Sequence, residues 1–226
     1  SIYENYLKTL EEKDWDFARD MPTYEPGKQH DPVKWHNFSY LDYYDKVIGR
    51  PYGANGIGKL REVALLKVTE SEFDQWWEDS HKYMGWKELI LDKGKPDVDR
   101  LIREQENLAK LYEQNGVEVH WIELPTRVGA FGPFNRPSAA VGDLWSVHGG
   151  IIVGKYGTLP HNNGRGSLYA RWAAMELGIP TLLTIHGTGV AEVAASVWLA
   201  EDVLVTGLSA SFNQEGLDQF IPVVKA

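Results

Sequence analysis

Short apolar runs alternating with helix-length amphipathic segments constrain this chain more than any other feature. Arg61-Glu62-Val63-Ala64-Leu65-Leu66-Lys67-Val68 reads as a strand. Val117-Glu118-Val119-His120-Trp121-Ile122 alternates as a strand does. Between them, Asp97-Val98-Asp99 opens a helix with acidic residues in its first turn, where the helix dipole favours them. Leu101, Ile102, Leu108 and Leu111 fall near helical spacing, and Asn115-Gly116 stops the run. His81 and Trp76-Trp77 lie in an insertion between the first strand and this helix. The same grammar then returns. Residues 149–154 (Gly-Gly-Ile-Ile-Val-Gly) predict a short buried strand, 168–177 a helix ended by Gly178 and Pro180, and 181–185 another strand. Residues 196–199 and 202–206 predict a hairpin, and a third helix is expected near Gly216. Strands and helices in turn define the α/β class. The spacing is too uneven for a solenoid. The third unit stops soon after it begins, which suits either a small fold or a partner that completes it.

A chain of 226 residues makes one domain or at most two and can bury a core without staples. Residues 1–57 differ from the rest. Residues 1–19 fit one helix with Tyr3, Tyr6, Leu7 and Leu10 on a face, but Pro22, Pro26, Pro32 and Pro51 then punctuate the run. Trp35, Phe38, Tyr40, Tyr43 and Tyr44 lie among them. An irregular aromatic stretch rarely stands free in water, so 1–57 reads as an arm on its own domain (58–226) or on a neighbouring subunit. The nine tryptophans and eleven tyrosines either serve such an interface or pocket or fill a core.

Several function classes fall away. A formal charge of −9 argues against wrapping nucleic acid. No window approaches 18 uninterrupted apolar residues, and Ser1-Ile2-Tyr3-Glu4-Asn5-Tyr6 lacks the pattern of a secretory signal, so a cytoplasmic location is expected. Cysteine is absent, which removes disulfides, thiolate metal sites and a cysteine nucleophile from this chain. Gly53-Ala54-Asn55-Gly56-Ile57-Gly58 has the wrong spacing for a dinucleotide loop and follows no strand. His186-Gly187-Thr188-Gly189 has the look of an oxyanion loop, but the Gly-x-Ser-x-Gly elbow that accompanies it in ester hydrolases is missing. His148, His161 and His186 sit beside glycine, asparagine or proline and fit loops. Their spacing is not that of metal ligands, and no metal and no cofactor is expected.

One constellation remains. Gly58-Lys59-Leu60-Arg61-Glu62-Val63 leads a strand; Gly142-Asp143 precedes the glycine-bounded strand at 149–154; Glu192 stands before a strand that leads to Val203-Leu204-Val205 and Ser209. In this order and spacing the chain resembles the amidinotransferase and arginine/agmatine deiminase superfamily, the penteins, over about residues 58–220. The resemblance implies an α/β propeller of strand-strand-helix-strand modules around a central pocket, of which this chain provides roughly the first half. It implies a partner subunit carrying the histidine and the cysteine nucleophile, hence a hetero-oligomer.

The departures are informative. The arginine of the family's Arg-Asp pair is Gly142, and the Glu-Gly-Gly-Asp motif has become Glu192-Val193-Ala194-Ala195. Ser211-Phe212 replaces the Arg-Thr after Ser209, and the helix-start arginine survives at most as Arg165. Losing one carboxylate weakens a guanidinium site by about 1.5–3 kcal/mol, the worth of a hydrogen bond to a charged group. A more neutral, aromatic substrate follows. The expected activity is that of a hydrolase subunit acting by addition and elimination on an electron-poor sp² carbon, with nitroanisole-type O-demethylation the favoured case. The alternatives are half of a guanidine deiminase or amidinotransferase, or a non-catalytic scaffold. Asp143 and Glu192 are the expected catalytic residues, one orienting substrate or water and one moving protons. His148, His161, Arg165, His186 and Ser209 are the expected substrate-binding residues.

Overall fold

The strand Gly150–Val153 is buried at every position, which explains its unbroken apolar sequence. It belongs to a computed structural model that describes residues 27–28, 57–71, 73–74, 77–78, 94–123, 144–157 and 165–225. The strands and α-helices whose bounds fall among these residues are β1 (Glu62–Leu66), α1 (Val98–Gln114), β2 (Glu118–Ile122), β3 (Leu144–Val147), β4 (Gly150–Val153), α2 (Arg165–Leu177), β5 (Thr181–Thr184), β6 (Ser196–Ala200), β7 (Val203–Thr206) and α3 (Gln214–Val224). β1 and β2 run parallel. β3 and β4 form an antiparallel pair, and β5 joins β4 in parallel. β6 and β7 make an antiparallel hairpin. The unit β3-β4-α2-β5 is one full strand-strand-helix-strand module, and β6-β7-α3 repeats its first three elements.

Local signals set these elements. The Asp97 carboxylate caps α1 by accepting the Arg100 amide at 2.9 Å. Gly116 takes φ of 74° just past its end, and Gly178 takes φ of 69° past the end of α2, left-handed conformations that suit glycine. Gln105, buried on α1, ties helix to strand. Its Oε1 accepts the Val68 amide at 3.2 Å, and its Nε2 donates to the Leu66 carbonyl. The expected strand at 61–68 is therefore shorter, because its last residues turn to meet this side chain. The third helix begins at Gln214, and Gly216 falls in its first turn. β3, with Trp145 in it, is a strand that the sequence pattern did not mark, just before β4.

β4 sits between two cores. Ile151 and Val153 pack with Ala170, Ala173 and Leu177 of α2. Ile152 faces the other way, into a cluster with Trp145, Val147, Ile185, Ala191, Phe212 and Phe220. Trp145, Phe212 and Phe220 form an aromatic triad with ring centroids 4.9–6.2 Å apart. The Trp145 indole N–H donates to Ser196 Oγ at 2.8 Å, and that hydroxyl donates to the Val193 carbonyl at 3.0 Å, so the buried ring leaves no polar atom stranded. Leu66, Ile122 and Tyr169 join the β1-β2 pair to α2. The expected arm at 1–57 lies outside the described residues apart from 27–28 and 57.

Candidate active site

In a parallel α/β sheet, ligands bind beyond the carboxyl ends of the strands, where the loops leave the sheet. For β4 and β5 that edge carries residues 154–157 and 185–192. Lys155 pairs with Ala191 through two backbone hydrogen bonds of 2.9 and 3.0 Å, and Ala191 in turn bridges to Phe212. The Glu192 amide donates to the Ser211 carbonyl at 2.9 Å. The Glu192 carboxylate turns toward the β4 exit, where Oε1 accepts the Gly157 amide at 2.9 Å. A carboxylate fixed in this way has one oxygen oriented by the backbone and a second left to meet substrate or water.

The loop 186–190 is clamped from α3. Gln219 holds His186 by both backbone groups: Oε1 accepts its amide at 3.0 Å and Nε2 donates to its carbonyl at 3.1 Å. Asn213, the N-cap of α3, accepts the amides of Gly216 (2.9 Å) and Val190 (2.8 Å) on Oδ1. It also donates from Nδ2 to the Thr188 carbonyl at 2.8 Å and from its own amide to the Val190 carbonyl at 3.1 Å. A Cβ on Gly216 would collide with the Val190 carbonyl, so the helix start presses directly on the loop. The Lys155 ammonium donates to the Gly187 carbonyl, while the Gly187 and Thr188 amides donate no hydrogen bond among the described residues. The edge thus carries the Glu192 carboxylate on the Gly157 amide and the Lys155 ammonium on the Gly187 carbonyl.

Replacing Asn213 by alanine removes three side-chain hydrogen bonds and strands the Val190 amide. The expected loss is about 2–4 kcal/mol in urea unfolding, the sum of a lost cap and an unsatisfied donor. Asn213→Asp keeps the acceptors and should lose less than half as much; equal losses would show that the Oδ1 clamp contributes little.

Of the residues expected from sequence, Glu192, His186 and Ser209 fall at this edge. Ser209 pairs with Phe212 through its backbone, and its Oγ accepts the Ser211 amide at 3.1 Å, beside the carbonyl that holds Glu192. His148 occupies the turn before β4 and His186 follows β5; since β4 and β5 are parallel, the two histidines stand at opposite edges and are not brought together. Arg165 begins α2. Asp143 and His161 lie outside the described residues; Leu144, which follows Asp143, pairs with Val153 at the edge that carries Lys155. Lys155, Asn213 and Gln219 were not singled out in the sequence. Asn213-Gln214-Glu215-Gly216 has the composition of a helix start and was the one available signal for the clamp.

No protein-family model matches the chain. The 2-nitroimidazole nitrohydrolase of Mycobacterium sp. (strain JS330) is 34% identical over 219 residues, covering 93% of this chain and 57% of the relative. The chain therefore spans little more than half the length of this curated relative. Among solved structures, a histidine-to-glycine variant of dimethylarginine dimethylaminohydrolase, in an adduct with S-methyl-L-thiocitrulline, superposes with a TM-score of 0.50. That match is 18% identical and covers 74% of this chain and 57% of the other. The α/β framework is thus of the pentein type, as the ordered blocks from Gly58 to Ser209 implied. The sequence likeness found is to a nitrohydrolase.

Proposed function

We propose that residues 58–226 build one wall of a pentein-type hydrolase that displaces a leaving group from a nitro-activated aromatic carbon. The observation that carries this reading is the likeness to 2-nitroimidazole nitrohydrolase along nearly the whole chain. A nucleophile adds to the ring carbon that bears the leaving group, and the electron pair moves onto the nitro-substituted ring. Expulsion of nitrite or an alkoxide restores the ring, and water cleaves the covalent adduct. The sum is Ar–X + H₂O → Ar–OH + HX. Nitroanisole-type O-demethylation is the case in which X is methoxide; nitro-group hydrolysis is the case in which X is nitrite.

The edge described above suits this chemistry. Negative charge develops on the ring during addition, and the Lys155 ammonium with the Gly187 and Thr188 amides provides donors for it. Glu192 takes a proton from the water that cleaves the adduct, and Asp143 shares the orienting role. Alanine at 195, where the superfamily motif has a second carboxylate, favours a neutral ring over a guanidinium.

Since residues 1–226 hold no cysteine, the attacking sulfur is proposed to come from outside them, from a complementary half that completes the ring, such as a partner subunit. The β6-β7 hairpin supports this. Trp198 and Leu204 pack on the core, while Val197, Leu199, Val203, Val205 and Leu208 are exposed, an apolar face suited to a further wall. Among the described residues no helix is long and apolar enough to cross a membrane, and the enzyme is proposed to work in the cytoplasm.

The test is product analysis with the assembled enzyme. Stoichiometric nitrite from 2-nitroimidazole, or methanol from dinitroanisole, is the expected result, and the faster of the two identifies the leaving group. Citrulline or ammonia from arginine or agmatine, with neither nitro compound consumed, would overturn the proposal in favour of a guanidine-modifying enzyme.

A further inference from the structure

Away from this edge, at the amino ends of β1 and β2, three metal-ligating side chains meet on one sheet face. The parallel register sets Glu62 opposite Glu118 and Ala64 opposite His120. Side chains two apart on a strand share a face, so Glu62, Glu118 and His120 project together. Their donor atoms all lie within 4.8 Å of one another. His120 Nε2 stands 2.9 Å from Glu62 Oε2 and 3.8 Å from Glu118 Oε1. The His120 side chain is only 10% exposed, whereas that of Glu118 is 63% exposed. A nine-tenths buried imidazole thus aims one nitrogen between two carboxylates that open to solvent.

That arrangement sets one imidazole nitrogen against two carboxylates. Like charges set directly opposite on neighbouring strands repel. One ring N–H reaches Glu62 within hydrogen-bond distance, but 3.8 Å to Glu118 is too long for a second bond. A divalent ion would engage all three groups at once. Tetrahedral zinc with ligands at about 2.1 Å sets its donors about 3.4 Å apart. The two distances from His120 Nε2 bracket that value, so small rotations of the glutamates suffice. One imidazole and two carboxylates suit zinc or manganese better than the all-oxygen shell that calcium and magnesium take.

We infer that Glu62, Glu118 and His120 form a binding site for a divalent transition-metal ion that staples β1 to β2, separate from the Lys155–Glu192 edge. The nitrogen lone pair and one oxygen of each carboxylate supply three ligands on one side of the ion, and solvent completes the shell.

Calorimetric titration of the full chain with ZnCl₂ tests it, alongside a histidine-selective ¹⁵N spectrum. One equivalent should bind saturably and move the His120 ring-nitrogen resonance. Glu118→Gln, at an exposed side chain, should weaken that binding at least about tenfold, the loss of one charged ligand, and His120→Asn should remove one equivalent. An equal response to MgCl₂, an unmoved His120 resonance, or native-like binding by Glu118→Gln would each overturn the site. The readouts do not involve turnover, so they stand or fall apart from the nitroaromatic proposal.

Discussion

Under the proposed nitroaromatic chemistry, substituting Glu192 by glutamine should lower turnover of 2-nitroimidazole by the assembled enzyme about 10²–10⁴-fold, the usual contribution of a positioned general base. Folding should barely change. Glutamine retains the Oε1 acceptor that receives the Gly157 amide, and the Glu192 backbone still bonds to Ser211. What is lost is the negative charge and the capacity to take a proton. Urea unfolding of Glu192→Gln should therefore fall within about 1 kcal/mol of the native chain, the net worth of a single hydrogen bond. If turnover and stability fell in parallel, Glu192 would be a strut for the 154–157 segment and not a participant in the chemistry. Lys155→Met provides a useful contrast, since it removes the cation proposed to face the developing charge and should depress turnover without touching the carboxylate.

Trp145→Ala should cost about 3–5 kcal/mol, the range for truncating a large buried aromatic. Trp145 is 4% exposed and packs on both Phe212 and Phe220. These rings join the β3-β4-β5 sheet to α3 and to the strand segment beside Ala191. Since single domains have about 5–15 kcal/mol in total, the variant should be partly unfolded at physiological temperature. Trp145→Phe keeps most of the ring contact and forfeits the bond to Ser196, whose hydroxyl still donates to Val193. Its expected cost is about 1–2 kcal/mol, a net hydrogen bond plus a small void. Urea titration followed by circular dichroism distinguishes the two. A loss below about 1 kcal/mol for Trp145→Ala would mean that the triad is not what holds the sheet to α3.

The sequence made much of this framework visible where local signals are strong. The boundaries of α1 followed from Asp97 and from Asn115-Gly116, because cap chemistry acts within a few residues. β4 followed from an unbroken apolar run, whose cause is burial on both faces. β3 was harder to see. Leu144-Trp145-Ser146-Val147 is only four residues long, and its pairing with β4 is a tertiary event.

The candidate site divides in the same way. Glu192 was found through motif spacing. The Gln219 and Asn213 clamps were not, because each depends on α3 folding back over a loop far away in the chain. Lys155 became a candidate only when the β4-β5 register placed the strand exit beside Ala191. Conversely, the grouping of His148 with His186 rested on composition, and parallel pairing puts them at opposite edges. Glu62 and His120 were read simply as strand residues, since their meeting depends on register between β1 and β2.

The most direct measurement is nitrite release from 2-nitroimidazole by the isolated chain of residues 1–226, repeated after the complementary half is added. The account predicts no turnover from the isolated chain and full turnover on reconstitution, with mass spectrometry locating the covalent adduct on a cysteine of the added half. Undiminished turnover by residues 1–226 alone would contradict it.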